Sequence, residues 1–205
     1  MRKVSRIKSE LIDTFFKDKL DRYASVVRTA FHDCVGGCDG CLNRANPENL
    51  GFSLNSLVVL DHIYDDKFRA DLSRADFWVL SAVTALEESL KFNNANLSSN
   101  FISPVKFTFK YGRCDCPTSP YTNISRGFPS GHSDFNQVMD FFSREFGFNM
   151  RESVAILGAH TLGGASGSAG SGFGGFWKES SVAAGRLNNR YYSLLADRRL
   201  FWSNL

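Results

Sequence analysis

A mainly α-helical fold is what this sequence predicts. Apolar residues recur every three or four positions over several long stretches, which is the helical period. Two short signals, Ser73-Arg-Ala-Asp76 and Asn149-Met-Arg-Glu152, set a capping side chain three residues before an acid, just ahead of apolar runs. Only one segment, Val105 to Tyr111, alternates as a strand would.

From the N-terminus, Leu11, Ile12, Phe15, Phe16, Tyr23, Val26, Val27, Ala30 and Phe31 predict one helix over 8–33, ended by Gly36 and Gly37. A second helix is expected over about 54–68. A third starts at Ser73 and carries the apolar body FWVLSAVTAL. Residues 93–104 read as a loop, and VKFTFKY after them as a short strand. The stretch 114–132, rich in Pro, Gly and Ser, reads as an ordered surface loop. Helix returns over 134–146 and again after Asn149. The run GGASGSAGSGFGG, residues 163–175, reads as a flexible loop, and a last helix covers about 187–195. With neither an internal repeat nor a linker, residues 1–205 read as a single domain.

Composition narrows the function classes. The net charge is only +3, and Lys and Arg are spread along the chain rather than gathered in a stripe, which argues against nucleic acid. No apolar run approaches the roughly 18 residues of a membrane span. The start, MRKVSRIKSE, lacks the apolar centre of a signal peptide. Five cysteines stand at 34, 38, 41, 114 and 116; their pairing is not legible, and the odd number leaves at least one thiol free or bonded outside the chain. Together with the sequons at Asn96 and Asn123, they favour an oxidising compartment and a secreted protein, with a cytoplasmic one as the alternative. No oligomeric state follows.

Two histidines lie among apolar neighbours, His32 after VVRTAF and His160 after VAILGA. Either alone is more often a packed core residue than a ligand. Arg28, however, precedes His32 by one turn, so both project from one helix face. Burying a guanidinium is costly unless negative charge meets it. A neutral imidazole beside a fixed cation suits the splitting of a hydroperoxide: the base takes a proton and the cation steadies the charge that develops as the O–O bond breaks.

RTAFHDC (28–34) and GAHTLG (158–163) resemble the distal and proximal histidine motifs of the plant, fungal and bacterial haem peroxidase superfamily. NPENLGF (46–52), LSRADFWVLSAVTALE (72–87), KYGRCD (110–115), DFFSREFGFNMRESVAILGAHTLG (140–163) and SGFGGFW (171–177) resemble further family segments, in the family's order, the last being closest to cytochrome c and ascorbate peroxidases. The resemblance implies a helical fold holding haem b between a distal and a proximal helix. It implies hydrogen peroxide as oxidant and one-electron oxidation of small, phenolic or other aromatic, reductants. His32 would be the distal acid and base, Arg28 the distal cation, and Asn49 the acceptor that orients His32. Phe31 would pack over the haem, His160 would ligate its iron, and Trp177 would stand beside His160. The resemblance also implies a Cys34–Cys38 disulfide.

The sequence departs from the family in several places. Relatives carry a buried acid after the last matched helix, bonded to the proximal histidine; here nothing beyond Asp197 is acidic and Asp197 falls too early. The C-terminal part of the fold is therefore expected to be missing. The alternative reading is a non-enzymatic or weakly active haem-binding or structural derivative. Calcium is disfavoured: Asp33 and Asp39 match distal ligands, but the turn CVGGC is short, Cys41 replaces a serine ligand, and Lys178 stands where a proximal ligand would be. Of two acids used by manganese-oxidising relatives only Asp21 remains, with Ser25 at the other position. The arginine of ascorbate-using relatives is absent. His62 and His132 match no motif and read as surface or structural residues.

Overall fold

The computed structural model describes residues 2–42, 46, 49, 54–95, 102–105, 107–117, 128–129, 133–165, 177–178 and 184–197; of residues 54, 55, 165, 177 and 178 it describes the backbone only. Helix α1 (Arg2–Glu10) widens into a π-helical segment, Leu11–Phe16, which buries Leu11, Phe15 and Phe16. Here the expected single helix divides. Lys17 is extended and Asp18 is left-handed (φ 57°), so the chain turns before α2 (Asp21–Cys34) begins. No Gly or Pro marks the break; aspartate tolerates the left-handed region well enough to make it.

Helix α3 (Leu54–Ile63) likewise ends in a π segment, Tyr64–Phe68. Helix α4 (Arg74–Ala95) is the central element, with Phe77, Trp78, Leu80, Ala82 and Ala85 in the core. Ser73 caps it by accepting from the Asp76 amide at 3.1 Å. The Asp76 carboxylate does not return to complete a capping box. It accepts instead from the Gly112 amide (2.6 Å) and the Arg113 guanidinium (2.8 Å). Asp115 reciprocates, accepting from the Arg74 and Ala75 amides at 2.9 Å each, at the positive end of the helix. The 110–116 segment is thereby clamped to the start of α4. Its alternation is genuine, with Phe107 and Phe109 half-buried and Thr108 and Lys110 exposed. Yet no ladder partner lies beside it among the described residues, so the expected strand is an extended loop.

Helices α5 (Phe135–Phe146) and α6 (Met150–Leu157) both open with full capping boxes, from Asp134 with Gln137 and from Asn149 with Glu152. Gly147, left-handed at φ 67°, ends α5. After α6 the chain tightens into a 3-10 turn, Gly158–Thr161. His160 therefore stands on that turn and not inside an α-helix. An unexpected two-stranded ribbon follows, β1 (Gly164–Ala165) against β2 (Trp177–Lys178), antiparallel with Gly164 opposite Lys178. It closes the glycine-rich run; residues 166–175 themselves lie outside the described residues. Helix α7 (Arg190–Ala196) comes last. The mainly helical class expected from the sequence is the class observed.

The described residues form two cores. The larger joins α1, α2, α3 and α4 around Phe15, Phe16, Leu60, Phe77 and Leu80. The smaller is phenylalanine-rich: Phe141 and Phe142 of α5 meet Val35, with Phe31, Phe128, Phe146, Phe148 and Leu157 around them. It joins the end of α2 to the end of α6, the two places where the histidine motifs lie.

Candidate active site

Arg28 and His32 are one turn apart on α2, as the period requires. The Arg28 Nε–H donates to His32 Nε2 at 3.4 Å. On the other side of the ring, His32 Nδ1 lies 2.7 Å from Asn49 Oδ1. An amide oxygen only accepts, so the ring proton sits on Nδ1 and the lone pair on Nε2. Burial and, after it, the Arg28 charge push the His32 pKa down to about 3, against the Asn49 bond, which raises it. His32 is thus a neutral base with its lone pair turned towards a cation. The Phe128 ring stacks on its face, 4.2 Å between centroids.

His160 reaches the same region from the 3-10 turn after α6. Burial, above all, lowers its pKa; a hydrogen bond with the Leu157 backbone opposes this, and the charge of Arg28 adds to it. One guanidinium therefore acts on both histidines, although α2 and the 3-10 turn are far apart in sequence. The imidazole still presents open surface. A side chain desolvated by dense surroundings and yet open on one side is one that lines a cleft. Tyr191 packs on it at 5.3 Å between ring centroids.

Close backbone approaches hold this turn in place. A Cβ on Gly158 would stand 2.8 Å from the Tyr192 hydroxyl, which donates to Val154 O. A Cβ on Gly163 would stand 2.7 Å from Ala24 Cβ, one turn before Arg28. Thr161 Oγ1 donates to Asn188 Oδ1 (2.9 Å), and the Asn188 amide reaches Asn93 of α4 at 3.4 Å.

The profile of the Peroxidase family matches residues 8–202. The chain belongs to the peroxidase family. A mitochondrial cytochrome c peroxidase of Candida albicans is 29% identical over 161 residues, 72% of this chain and 39% of that protein. A putative heme-binding peroxidase of Debaryomyces hansenii is 27% identical over 87% of this chain and 39% of its own. A basic peroxidase of Zinnia elegans is 33% identical over 68% of this chain and 42% of its own. The chain thus spans about two fifths of the length of these curated relatives.

The family implies a haem cofactor, and the residues present fit one. His160 offers a neutral imidazole whose one ring nitrogen is engaged with the Leu157 backbone, the usual arrangement behind a metal-ligating histidine. Phe31 and the phenylalanine cluster provide an apolar wall beside His32 that reaches Leu157, just before the turn of His160. Of Trp177 the structure describes only the backbone, in β2. His132, the sequons at Asn96 and Asn123, and the Lys178 side chain lie outside the described residues.

On the distal turn, both Asp33 oxygens are engaged by main-chain amides, Gly40 at 3.1 Å and Cys41 at 3.0 Å. Asp39 Oδ1 accepts from Cys41 as well. Cys41 is bonded to Cys116, and Cys34 to Cys38; Cys114 is the free, exposed thiol. Asp39, Cys41 and Cys116 cluster at ligand distance, but sulfurs joined to each other offer no thiolate. The Cys41–Cys116 bond and Phe128 were beyond the reach of the sequence. Phe128 shares its loop with Tyr121 and Ile124, and nothing in the sequence singles it out.

Proposed function

We propose that this chain carries the haem site of a peroxidase, in which hydrogen peroxide is reduced and small aromatic donors are oxidised one electron at a time. The observation that carries this reading is the state of His32: a neutral imidazole, its Nδ1 anchored on Asn49 and its Nε2 turned towards Arg28. A scaffold has no need of such a trio, whereas peroxide cleavage needs each member.

His160 would hold haem b, with Phe31 and Trp177 beside it. When bound, haem supplies the redox-active iron that accepts peroxide and exchanges electrons with donors. The work of the chain is proton handling. His32 Nε2 takes the proton from one peroxide oxygen and delivers it to the other, which departs as water. The Arg28 cation stabilises the negative charge on the departing oxygen. Asn49 keeps the ring proton on Nδ1, so that Nε2 stays a base. The two disulfides support an oxidising, extracellular location.

The test is a titration of the protein with ferric haem, read in the visible spectrum beside His160→Ala. Saturable one-to-one binding with a histidine-ligated spectrum, lost in the variant, is expected. His32→Leu should retain that spectrum and slow the peroxide reaction by about 10²–10⁴-fold. Binding indifferent to His160 would sink the proposal and leave a repurposed scaffold.

A further inference from the structure

The hydrogen bond to Asn49 fixes only one direction of the His32 ring. A bond along the Nδ1–Oδ1 line does not by itself define the plane of the imidazole, and the 3.4 Å contact with Arg28 is too long to define it either. Phe128 bears on that plane directly. Its ring lies nearly parallel to the imidazole, 27° between planes at 4.2 Å between centroids. Phe128 is itself held from behind, by Phe31 at 6.1 Å and Phe141 at 6.0 Å. Phe31 in turn meets His32 edge-on, at 77° and 6.0 Å. The imidazole is therefore bounded by one ring on its face and another at its side, both rooted in the α5 cluster.

We propose that Phe128 is a positioning residue for His32, fixing by stacking the plane in which Nε2 meets peroxide. The proposal rests on the peroxidase function proposed above and extends it to a loop residue outside the matched motifs. A flat partner is essential, since an aliphatic side chain of similar bulk can fill the space without defining a plane. The same ring keeps water from the imidazole face. The groups that bear on the His32 proton are Arg28 on its own helix, His160 on the 3-10 turn and Asn49; α5 presents phenylalanines to this region.

The experiment compares Phe128→Leu and Phe128→Tyr with wild type, in two readouts. The first is the NMR spectrum of the histidine ring protons, the His32 signals being assigned by their loss in His32→Gln. Stacking places those protons upfield, and Phe128→Leu should return them towards the position of an unstacked imidazole while Phe128→Tyr preserves them. The second is the peroxide reaction of haem-loaded protein against pH. Phe128→Leu should be slower by roughly ten- to a hundredfold, the scale of a small misplacement of a reacting group. Its acid limb should also move to higher pH, because water at the exposed face favours the imidazolium. Phe128→Tyr should restore both. An unshifted His32 signal in Phe128→Leu, or equal losses in the Leu and Tyr variants, would overturn the proposal. Failure of haem to bind would overturn the peroxidase reading instead, and the ring-proton shifts would still decide whether Phe128 orients His32.

Discussion

Burial and the Arg28 guanidinium both drive the proton off His32, and the Asn49 hydrogen bond opposes them only in part. The sign of the consequence follows from linkage. In the unfolded chain His32 titrates near 6.5 and in the folded protein near 3. Between those values the unfolded state binds more protons, so this residue's contribution to stability is lost as pH falls through that window. Burial raises Asp33 from 3.8 to about 6, which has the opposite sign: the folded state holds the extra proton, and stability is lost as pH rises through that range. Urea midpoints measured against pH should show it. His32→Gln should flatten the acid-side loss, and Asp33→Asn should flatten the loss on approaching pH 6. Asn49→Asp, in haem-loaded protein, should move the acid limb of the peroxide reaction upward, because a carboxylate beside Nδ1 favours the imidazolium. At this scale the Arg28–His32 pair was legible from residue type and spacing, and His160 only through the resemblance of GAHTLG to a family motif. Phe128 was not, because stacking across a loop leaves no period in the sequence.

Among the elements, α6 is started by a signal wholly local to the sequence. Its capping box joins the Asn149 side chain to the Glu152 amide (3.0 Å) and the Glu152 carboxylate to the Asn149 amide (2.9 Å). Asn149→Ala should cost about 1 kcal/mol, read as a lowered urea midpoint. Gly163 is left-handed at φ 76° and lies against Ala24. Gly163→Ala combines backbone strain with a clash against α2, and a loss of about 1–3 kcal/mol is expected. Alanine at Gly147, also left-handed but with open space around it, should cost less. Helix bodies and the Asn149–Glu152 capping box were readable because 3.6-residue periodicity and N-cap chemistry are local; Ser73–Asp76 marked a helix start without forming a box, and the Asp134–Gln137 box was not read. The break at Asp18, the 3-10 turn beneath His160 and the unpaired 107–111 segment were not readable. Each depends on what the neighbouring elements offer in space.

For the molecule as a whole, the Cys41–Cys116 bond is the long-range tie. It spans 75 residues and joins the distal turn to the segment clamped on α4, where the Cys116 amide also donates to Asp39 O at 2.8 Å. A closed loop of that length restricts the unfolded chain by up to about 4 kcal/mol on chain entropy, against roughly 2 kcal/mol for the four-residue Cys34–Cys38 loop. The pair Cys41→Ser and Cys116→Ser should therefore unfold at clearly lower urea than Cys34→Ser with Cys38→Ser. In the native protein one thiol, that of Cys114, should react with a thiol reagent. No helix among the described residues is long and apolar enough to cross a membrane.

The sequence by itself determined the helical class, the order of the motifs, membership of a family and the presence of an Arg–His pair on one helix face. These rest on the period of apolar residues and on the likeness of short motifs, both of which are local in the chain. Tertiary structure alone decided that Cys41 meets Cys116 and that one cation acts on both histidines. It also decided that a phenylalanine from a loop lies across the imidazole of His32. Those are contacts between segments remote in the chain, and the shape and packing of the elements between them set the distance.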